Sequence, residues 1–261
     1  MHPLFFGTHK KQLFGVYHPP ATPGSTDDAV LLCAPIANEY IYTHRALKQF
    51  AARLANAGFH TFRFDYYATG DSAGEETMGE PAQWVQDIFA AAEELRAISG
   101  CRRVDVVGLR LGATLAMQAM ADGLQASRLV IWDPVVNGRN WLRELSQIHK
   151  ELLSNSAHSP GIREPFADDL VGFVFPATMQ EAINQLDMTK LASQYEANTI
   201  MLTSQESTEY DVLKAAFSEY GGSLVYRYIP DAGHWLTRDM TKAIIPFHIP
   251  QAIITTLKQR N

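Results

Sequence analysis

Residues 104–113 constrain the fold of this chain more than any other segment. They read as a β-branched strand, a sharp turn at 108–112 with the sequence Gly-Leu-Arg-Leu-Gly, and the start of a helix of small residues. The two glycines relieve crowding in so tight a turn. The residue between them, Arg110, is expected in a strained conformation at the carboxyl end of the strand. Because a guanidinium stays protonated and offers only N–H donors, Arg110 cannot act as a nucleophile there.

Strand-like and helix-like stretches alternate along most of the chain. Residues 3–18 predict a hairpin, and later strands are predicted at 29–33, 61–64, 104–109, 129–132, 199–202 and 224–228. One helix is expected to be capped by Thr43 and closed by Gly58. Further helices are predicted at 81–95, 113–117, 141–153, 180–191, 212–220 and 251–258. This alternation predicts an α/β fold with a mostly parallel, doubly wound sheet that binds ligands beyond the carboxyl ends of its strands.

The alternation stops between residues 139 and 191. We expect this segment to be a helical lid that carries Trp141, Leu145 and Phe175 toward a pocket, inserted into a core made of 1–138 and 192–261. A stabilising surface insertion is the alternative.

Composition limits the class of function. The 261 residues fit one α/β domain with an insertion, and the net charge of −6 argues against a broad nucleic-acid-binding face. The two cysteines, Cys33 and Cys101, suit a reducing cytoplasm rather than a disulfide framework. The sequence shows no apolar stretch typical of a signal peptide or a membrane span, and its nine histidines lack metal-ligand spacing. We therefore expect a cytoplasmic protein that acts on a small molecule.

Three motifs carry a resemblance to a known family. They are the Phe-Asp-Tyr-Tyr-Ala-Thr-Gly-Asp-Ser loop at 64–72, the turn at 108–112 and the Asp-Ala-Gly-His segment at 231–234. Together they resemble the serine aminopeptidase-like branch of the α/β-hydrolase superfamily. Residues 108–113 with 132–136 further resemble its exosortase-system-associated or biosynthetic-cluster subgroup. The resemblance implies an α/β-hydrolase fold, a nucleophile elbow at 108–112, and hydrolysis of esters, thioesters or amides without a cofactor.

The same resemblance implies an acid/base histidine and its acid partner. His234 matches the family's catalytic histidine, and an imidazole side chain suits proton transfer near neutral pH. The usual spacing places Ser207 at the acid position, while Glu206 or Glu209 could still serve. Asp133 is the other candidate, either as the partner of His234 and Arg110 or as a turn residue.

The oxyanion hole and the pocket walls are predicted less directly. The backbone N–H of Leu111 should be one oxyanion donor. The second falls on Pro35, which has no N–H, unless the register shifts to Ile36. Tyr66 and Trp141 are expected to contact the substrate.

Arg110 has three interpretations. It could anchor a carboxylate or phosphate, it could be a structural residue neutralised by Asp133 or Glu206, or it could fill an inactive site. Cys33 and Ser72 are the alternative nucleophiles, although neither has the geometry of the turn.

Three functions are therefore open. The first is an enzyme with atypical, serine-less chemistry on a small acyl or carboxylate-bearing substrate, with Arg110 as the anion anchor and His234 as acid/base. The second is an ester or thioester hydrolase that uses a displaced nucleophile or a water activated by His234. The third is a non-catalytic binding protein on a hydrolase scaffold.

Overall fold

A computed structural model describes residues 1–22, 27–156, 168–194, 198–232, 235 and 245–259. Its strands, in chain order, are β1 (His2–Thr8), β2 (Lys11–His18), β3 (Asp28–Cys33), β4 (His60–Phe64), β5 (Arg103–Leu109), β6 (Arg128–Trp132), β7 (Asp169–Leu170), β8 (Phe173–Val174), β9 (Thr199–Thr203) and β10 (Leu224–Tyr228). Its helices are α1 (Ala37–Asn56), α2 (Pro81–Ser99), α3 (Leu111–Ala121), α4 (Gly138–Ser156), α5 (Ala177–Asn184), α6 (Met188–Leu191), α7 (Thr208–Glu219) and α8 (His248–Lys258).

Eight of these strands form one sheet in the order β1-β2-β4-β3-β5-β6-β9-β10. The first two strands form the predicted hairpin, and β2 also runs antiparallel to β4. All other neighbours in the sheet are parallel. The predicted mostly parallel sheet is therefore confirmed, and the carboxyl ends of β3, β5, β6 and β9 meet at one edge.

Helices cover both faces of the sheet because its central strands are buried on both sides. On β3, for example, Val30 and Leu32 pack toward α1 and α8, while Leu31 packs toward α2 and α3. Alternate residues of one strand thus join two separate apolar layers, and the parallel strands between them read as continuous apolar runs.

Several predicted helix boundaries differ from the structure, and two of the differences have a local cause in side-chain hydrogen bonds. Helix α1 begins at Ala37 rather than after Thr43, whose hydroxyl donates to the carbonyl of Tyr40 (3.3 Å) inside the helix instead of capping it. The helix predicted at 180–191 is two helices, because Asp187 accepts a hydrogen bond from the backbone N–H of Thr189 (3.1 Å) and so caps a new helix. A side chain that bonds locally to the backbone can serve a helix interior or its end, and the sequence alone does not distinguish these roles.

The segment predicted as an insertion contains α4, the β7–β8 hairpin, α5 and α6 between β6 and β9. Helix α5 packs on α2, and α6 packs on α3 and α7. Strand β8 contacts a short 3₁₀ turn, Glu76–Met78, in the loop that follows β4, so this segment lies at the carboxyl edge of the sheet. Within the described part of the chain, no helix combines the length and the apolar character needed to cross a bilayer.

Candidate active site

Arg110 occupies the strained turn between β5 and α3, as the sequence predicts. Its φ of 54° and ψ of −124° lie where a side chain is normally disfavoured. A Cβ on Gly108 would collide with the backbone of Ala113, and one on Gly112 would collide with the carbonyl oxygens of Cys33 and Ala34. Both glycines are therefore required by close packing of the turn against α3 and against the end of β3.

The Arg110 side chain is paired with a buried carboxylate. Its Nε and Nη2 atoms each lie 3.0 Å from Oε1 of Glu39, and Nη1 donates to the backbone carbonyl of Asp133 at 3.2 Å. Arg110 is only 7% exposed and Glu39 is fully buried. Burial alone would lower the pKa of Arg110, but Glu39, with smaller contributions from Tyr210 and Glu144, raises it overall. The guanidinium therefore stays charged.

This pairing corrects the expectation that Asp133 or Glu206 neutralises Arg110. Sequence reasoning missed Glu39, although a signal was available. Strand β3 pairs directly with β5, so the loop after β3 must pass close to Arg110. Glu39 is the only acidic residue between Cys33 and Thr43, and a buried charge at the turn needs a partner.

Glu39 also links the turn to the inserted segment. The indole Nε1 of Trp141, on α4, donates to the same Oε1 atom at 3.1 Å. Trp141 is 2% exposed, and its ring lies 6.1 Å from that of Phe175, centroid to centroid. One carboxylate oxygen thus holds the turn and the first helix of the insertion together.

Asp133 holds a different set of groups. Its Oδ1 accepts a hydrogen bond from the backbone N–H of Ser204 (2.6 Å), and its Oδ2 accepts from Ser204 Oγ (2.7 Å) and from Trp235 Nε1 (2.8 Å). Burial raises the pKa of Asp133, although these donors act in the opposite direction. His234, the expected acid/base, lies outside the described residues, so its partner is not defined by the geometry. Its neighbour in the chain, Trp235, is bonded to Asp133.

The other acid candidates have separate roles. Glu206 is exposed and lines neither of the cavities described below. Ser207 caps α7 by accepting from the backbone N–H of Glu209 (3.2 Å), and Glu209 accepts from Asn140 Nδ2 (2.7 Å). The structure does not bring Glu206 to Arg110.

The two alternative nucleophiles are both constrained. Burial raises the pKa of the Cys33 thiol, which disfavours the reactive thiolate. Ser72 Oγ donates to the carbonyl of Asp65 (2.6 Å) and accepts from the backbone N–H of Phe14 (2.9 Å). Neither group is poised to attack a substrate.

The predicted oxyanion and contact residues are distributed as follows. Leu111 is the first residue of α3, Ile36 precedes α1, and Pro35 and Ile36 line a cavity. Tyr66 lines neither of the two cavities described below. It lies in the core, 1% exposed, against the rings of Phe64 and Trp84, so its predicted substrate contact is corrected.

Two cavities lie at this edge of the sheet. The apolar cavity, of about 300 Å³, lies between the loops after β3 and β4 and the inserted segment. It is lined by Pro35, Ile36, Ala37, Tyr40, Ala68, Thr69, Gly70, Ser72, Gly74, Glu76, Trp84, Phe173, Val174, Phe175 and Met179. The polar cavity, of about 170 Å³, lies between α4 and α7. It is lined by Arg110, Pro134, Val135, Asn137, Asn140, Trp141, Glu144, Gln205, Ser207, Glu209 and Tyr210.

The polar cavity is acidic rather than basic. Glu144 and Glu209 line it together with Arg110, whose charge Glu39 already balances. Glu144 Oε2 lies 3.9 Å from Arg110 Nη2. This arrangement gives no support to Arg110 as an anchor for a substrate carboxylate. Among the residues with a described placement, no group of three or more histidine, cysteine or acidic side chains is arranged to hold a metal ion.

Comparison with known proteins gives both a family and a fold. The family model described as serine aminopeptidase, S33, matches residues 34–200. Est1E from Butyrivibrio proteoclasticus, solved with ferulic acid, has a TM-score of 0.68 at 14% identity over 98% of this chain and 96% of that one. Proline iminopeptidase from Mycobacterium smegmatis has a TM-score of 0.68 at 11% identity, with 98% and 97% covered.

A third similar structure is the esterase PF2001 from Pyrococcus furiosus. Its TM-score is 0.62 at 13% identity, with 88% of this chain and 81% of that one covered. A search of curated proteins gave no match. At such low identities the solved structures establish the fold alone, and the predicted α/β-hydrolase fold is confirmed.

Proposed function

Since the chain belongs to the serine aminopeptidase S33 family of α/β hydrolases, we propose that it is an enzyme that acts on a small acyl compound without a covalent intermediate at the nucleophile elbow. The pairing of Arg110 with Glu39 carries this proposal. A guanidinium held by a buried carboxylate fills the position from which a serine would attack. The narrower resemblance to the exosortase-system-associated subgroup stays a prediction.

The apolar cavity is the proposed substrate site. Its volume is at the lower end of the range for small-molecule pockets, and its walls combine apolar and aromatic side chains with a few polar groups. Residues 139–191 would then be the lid over a core of 1–138 and 192–261. Four lining residues, Phe173, Val174, Phe175 and Met179, come from this segment, which supports that role.

The proposed acid/base is His234, with Asp133 as the residue that orients it. The hydrogen bond from Trp235, next to His234 in the chain, to Asp133 supports this pairing. In this mechanism His234 takes a proton from a water or from the substrate and returns it to the leaving group. The backbone N–H of Leu111 is the proposed oxyanion donor, with Ile36 replacing the absent donor of Pro35.

The second candidate is a non-catalytic binding protein. It is favoured by two features of the same site, because Arg110 supplies no nucleophile and Pro35 supplies no oxyanion donor. A displaced nucleophile is a weaker alternative, since Cys33 is buried and the Ser72 hydroxyl already donates to one backbone group and accepts from another.

One experiment separates the two candidates. Wild-type protein and His234→Ala are incubated with a panel of small aryl and alkyl esters, thioesters and amides, and products are measured by mass spectrometry. Slow turnover that is lost in His234→Ala while the substrate still binds supports the enzyme. Binding by both proteins with no product from either supports the binding protein. Strong labelling of Cys33 or Ser72 by a fluorophosphonate contradicts both.

A further inference from the structure

The hydroxyl groups that line the apolar cavity direct their hydrogens away from a ligand and leave it mainly hydrogen-bond acceptors. Three hydroxyl-bearing side chains line it: Tyr40, Thr69 and Ser72. Tyr40 donates to Asp65 Oδ1 (2.6 Å), Thr69 to the carbonyl of Tyr66 (2.8 Å), and Ser72 to the carbonyl of Asp65 (2.6 Å). A hydroxyl has one hydrogen and two acceptor lone pairs, so what remains on these oxygens is acceptor capacity.

The other polar side chains of this cavity show the same bias. The indole N–H of Trp84 donates to the carbonyl of Tyr67 at 3.0 Å. Glu76 is a carboxylate whose Oε1 accepts from the backbone N–H of Val174 (2.9 Å), which leaves further lone pairs on both oxygens. Among the described lining residues there is no lysine, arginine or histidine. The described side chains of the cavity therefore offer a ligand hydrogen-bond acceptors and negative charge, and no unengaged donor.

The Tyr40 oxygen is the hydrogen-bond acceptor whose orientation is most firmly fixed. Asp65 is only 5% exposed, and its Oδ2 also accepts from the backbone N–H of Asp71 (3.0 Å). Burial raises the pKa of Tyr40, as does the neighbouring Asp65, so its hydroxyl stays protonated at neutral pH. His44 Nδ1 lies 3.2 Å from the same oxygen. With its hydrogen directed to Asp65 and one lone pair facing His44 Nδ1, the Tyr40 oxygen retains its second lone pair for a donor in the cavity.

The remaining lining residues of the cavity favour an aromatic ligand. Tyr40, Trp84, Phe173 and Phe175 are four aromatic residues around about 300 Å³. Alanine and glycine at several of the other lining positions keep the space between them open. Aromatic side chains attract an aromatic ligand through offset or edge-to-face contacts beyond simple burial of area.

We propose that the apolar cavity binds a neutral aromatic ring that carries a hydrogen-bond donor, such as a phenolic hydroxyl, and excludes aromatic carboxylates. The donor bonds to the Tyr40 oxygen or to Glu76. This inference deepens the proposed function, on which it rests for the identity of the substrate pocket, by naming the class of substrate. A carboxylate in this cavity would face Glu76, and the described lining side chains offer it no donor to compensate its lost hydration.

The test is binding, and it needs no turnover. Phenol, anisole, benzoate and cyclohexanol are titrated against the full chain by ligand-observed NMR and calorimetry at constant ionic strength. Phenol should bind saturably and at least about tenfold more tightly than anisole, which lacks the donor, and than benzoate. Phenol should also bind more tightly than cyclohexanol, which has the donor without the aromatic ring. Equal binding of anisole, benzoate or cyclohexanol, or no saturable binding of phenol, overturns the proposal.

Substitutions of Glu76 and Tyr40 test which residue accepts the hydrogen bond from phenol. Glu76→Gln and Tyr40→Phe should each weaken phenol several-fold, and the double variant should weaken it about tenfold or more. Glu75→Gln removes the same charge from the adjacent exposed residue and should leave phenol binding unchanged. Because Glu76 is exposed, its variant should fold even if loss of the Tyr40–Asp65 bond destabilises the other. Unchanged phenol binding in both variants contradicts the proposed acceptors.

Turnover and ligand selectivity separate this proposal from the proposed reaction, because the titrations require no proton transfer. If no turnover is ever found but the selectivity for phenol holds, the proposed reaction fails and the ligand class stands. If turnover is found without that selectivity, the ligand class is the part that fails.

Discussion

Arg110→Met should destabilise the fold far more than the loss of a surface charge. The substitution removes one hydrogen bond and one further ion-pair contact to Glu39, and one hydrogen bond to the carbonyl of Asp133. It leaves the fully buried Glu39 carboxylate with the Trp141 indole as its remaining donor among the described side chains. Breaking a buried ion pair by removing one partner costs about 3–5 kcal/mol. For a chain of this size that corresponds to a fall in Tm of about 6–20 °C.

The double variant Arg110→Met/Glu39→Gln tests the reasoning. Replacing both charges removes the unpaired carboxylate and keeps an oxygen for Trp141, so most of the lost stability should return. Urea denaturation of the wild type, both single variants and the double variant gives the free energies of unfolding and their coupling. Asp211→Asn, which breaks the exposed pair with Lys214, is the control and should have a much smaller effect. The buried-pair argument is refuted if Arg110→Met lowers the free energy of unfolding by less than about 1 kcal/mol, or if the double variant is no more stable than Arg110→Met.

Three further predictions concern reactivity, pH and the insertion. The wild type should resist fluorophosphonate labelling and hydrolyse p-nitrophenyl esters poorly. Arg110→Ser/Glu39→Gln should gain slow labelling at position 110, and a wild type that labels as fast as this variant would contradict the reading of the elbow. The buried His18 has a pKa lowered from 6.5 to about 4, first by burial and then by Arg63. The unfolded chain therefore binds the proton first, and stability should fall as pH drops from about 6.5 toward 4. The midpoint of urea denaturation should fall less with decreasing pH in His18→Gln than in the wild type. An equal fall in both proteins would exclude His18 as the source of the pH dependence. Limited proteolysis within 139–191 should slow when phenol is bound, and unchanged cleavage would argue against a lid that responds to the ligand.

Local sequence patterns predicted the sheet and the elbow because both are governed by local physics. Continuous apolar runs specify strands buried on both faces, and the Gly-x-Arg-x-Gly turn specifies a close approach that only glycine permits. The helix boundaries were less predictable. Thr43 and Asp187 are both good cap residues, but one bonds inside a helix and the other starts a helix.

The site was only partly predictable because position along the chain does not give the direction of a side chain. Tyr66 follows the strand at whose carboxyl end ligands are expected, yet it packs in the same core layer as Phe62 and Phe64. The alternation of that strand already contained this signal, since residues two apart share a face. Glu39 is identified by a different signal. Strand β3 pairs with β5, so the loop after β3, which contains Glu39, passes close to Arg110.

The retained elbow has a structural explanation that does not involve catalysis. A non-glycine residue in this backbone region costs about 1–3 kcal/mol and persists only where its surroundings impose it. Here Gly112 is pressed against the carbonyls at the end of β3, and the backbone N–H of Arg110 donates to the carbonyl of Trp132 at 3.1 Å. The turn is therefore fixed from both neighbouring strands, whatever side chain it carries. In this chain that side chain joins Glu39, and through Glu39 it joins Trp141 on the inserted segment. The strained backbone of the elbow is thus explained by the packing of β3, β5 and α3. Whether the elbow can act as a nucleophile depends on the side chain that it carries.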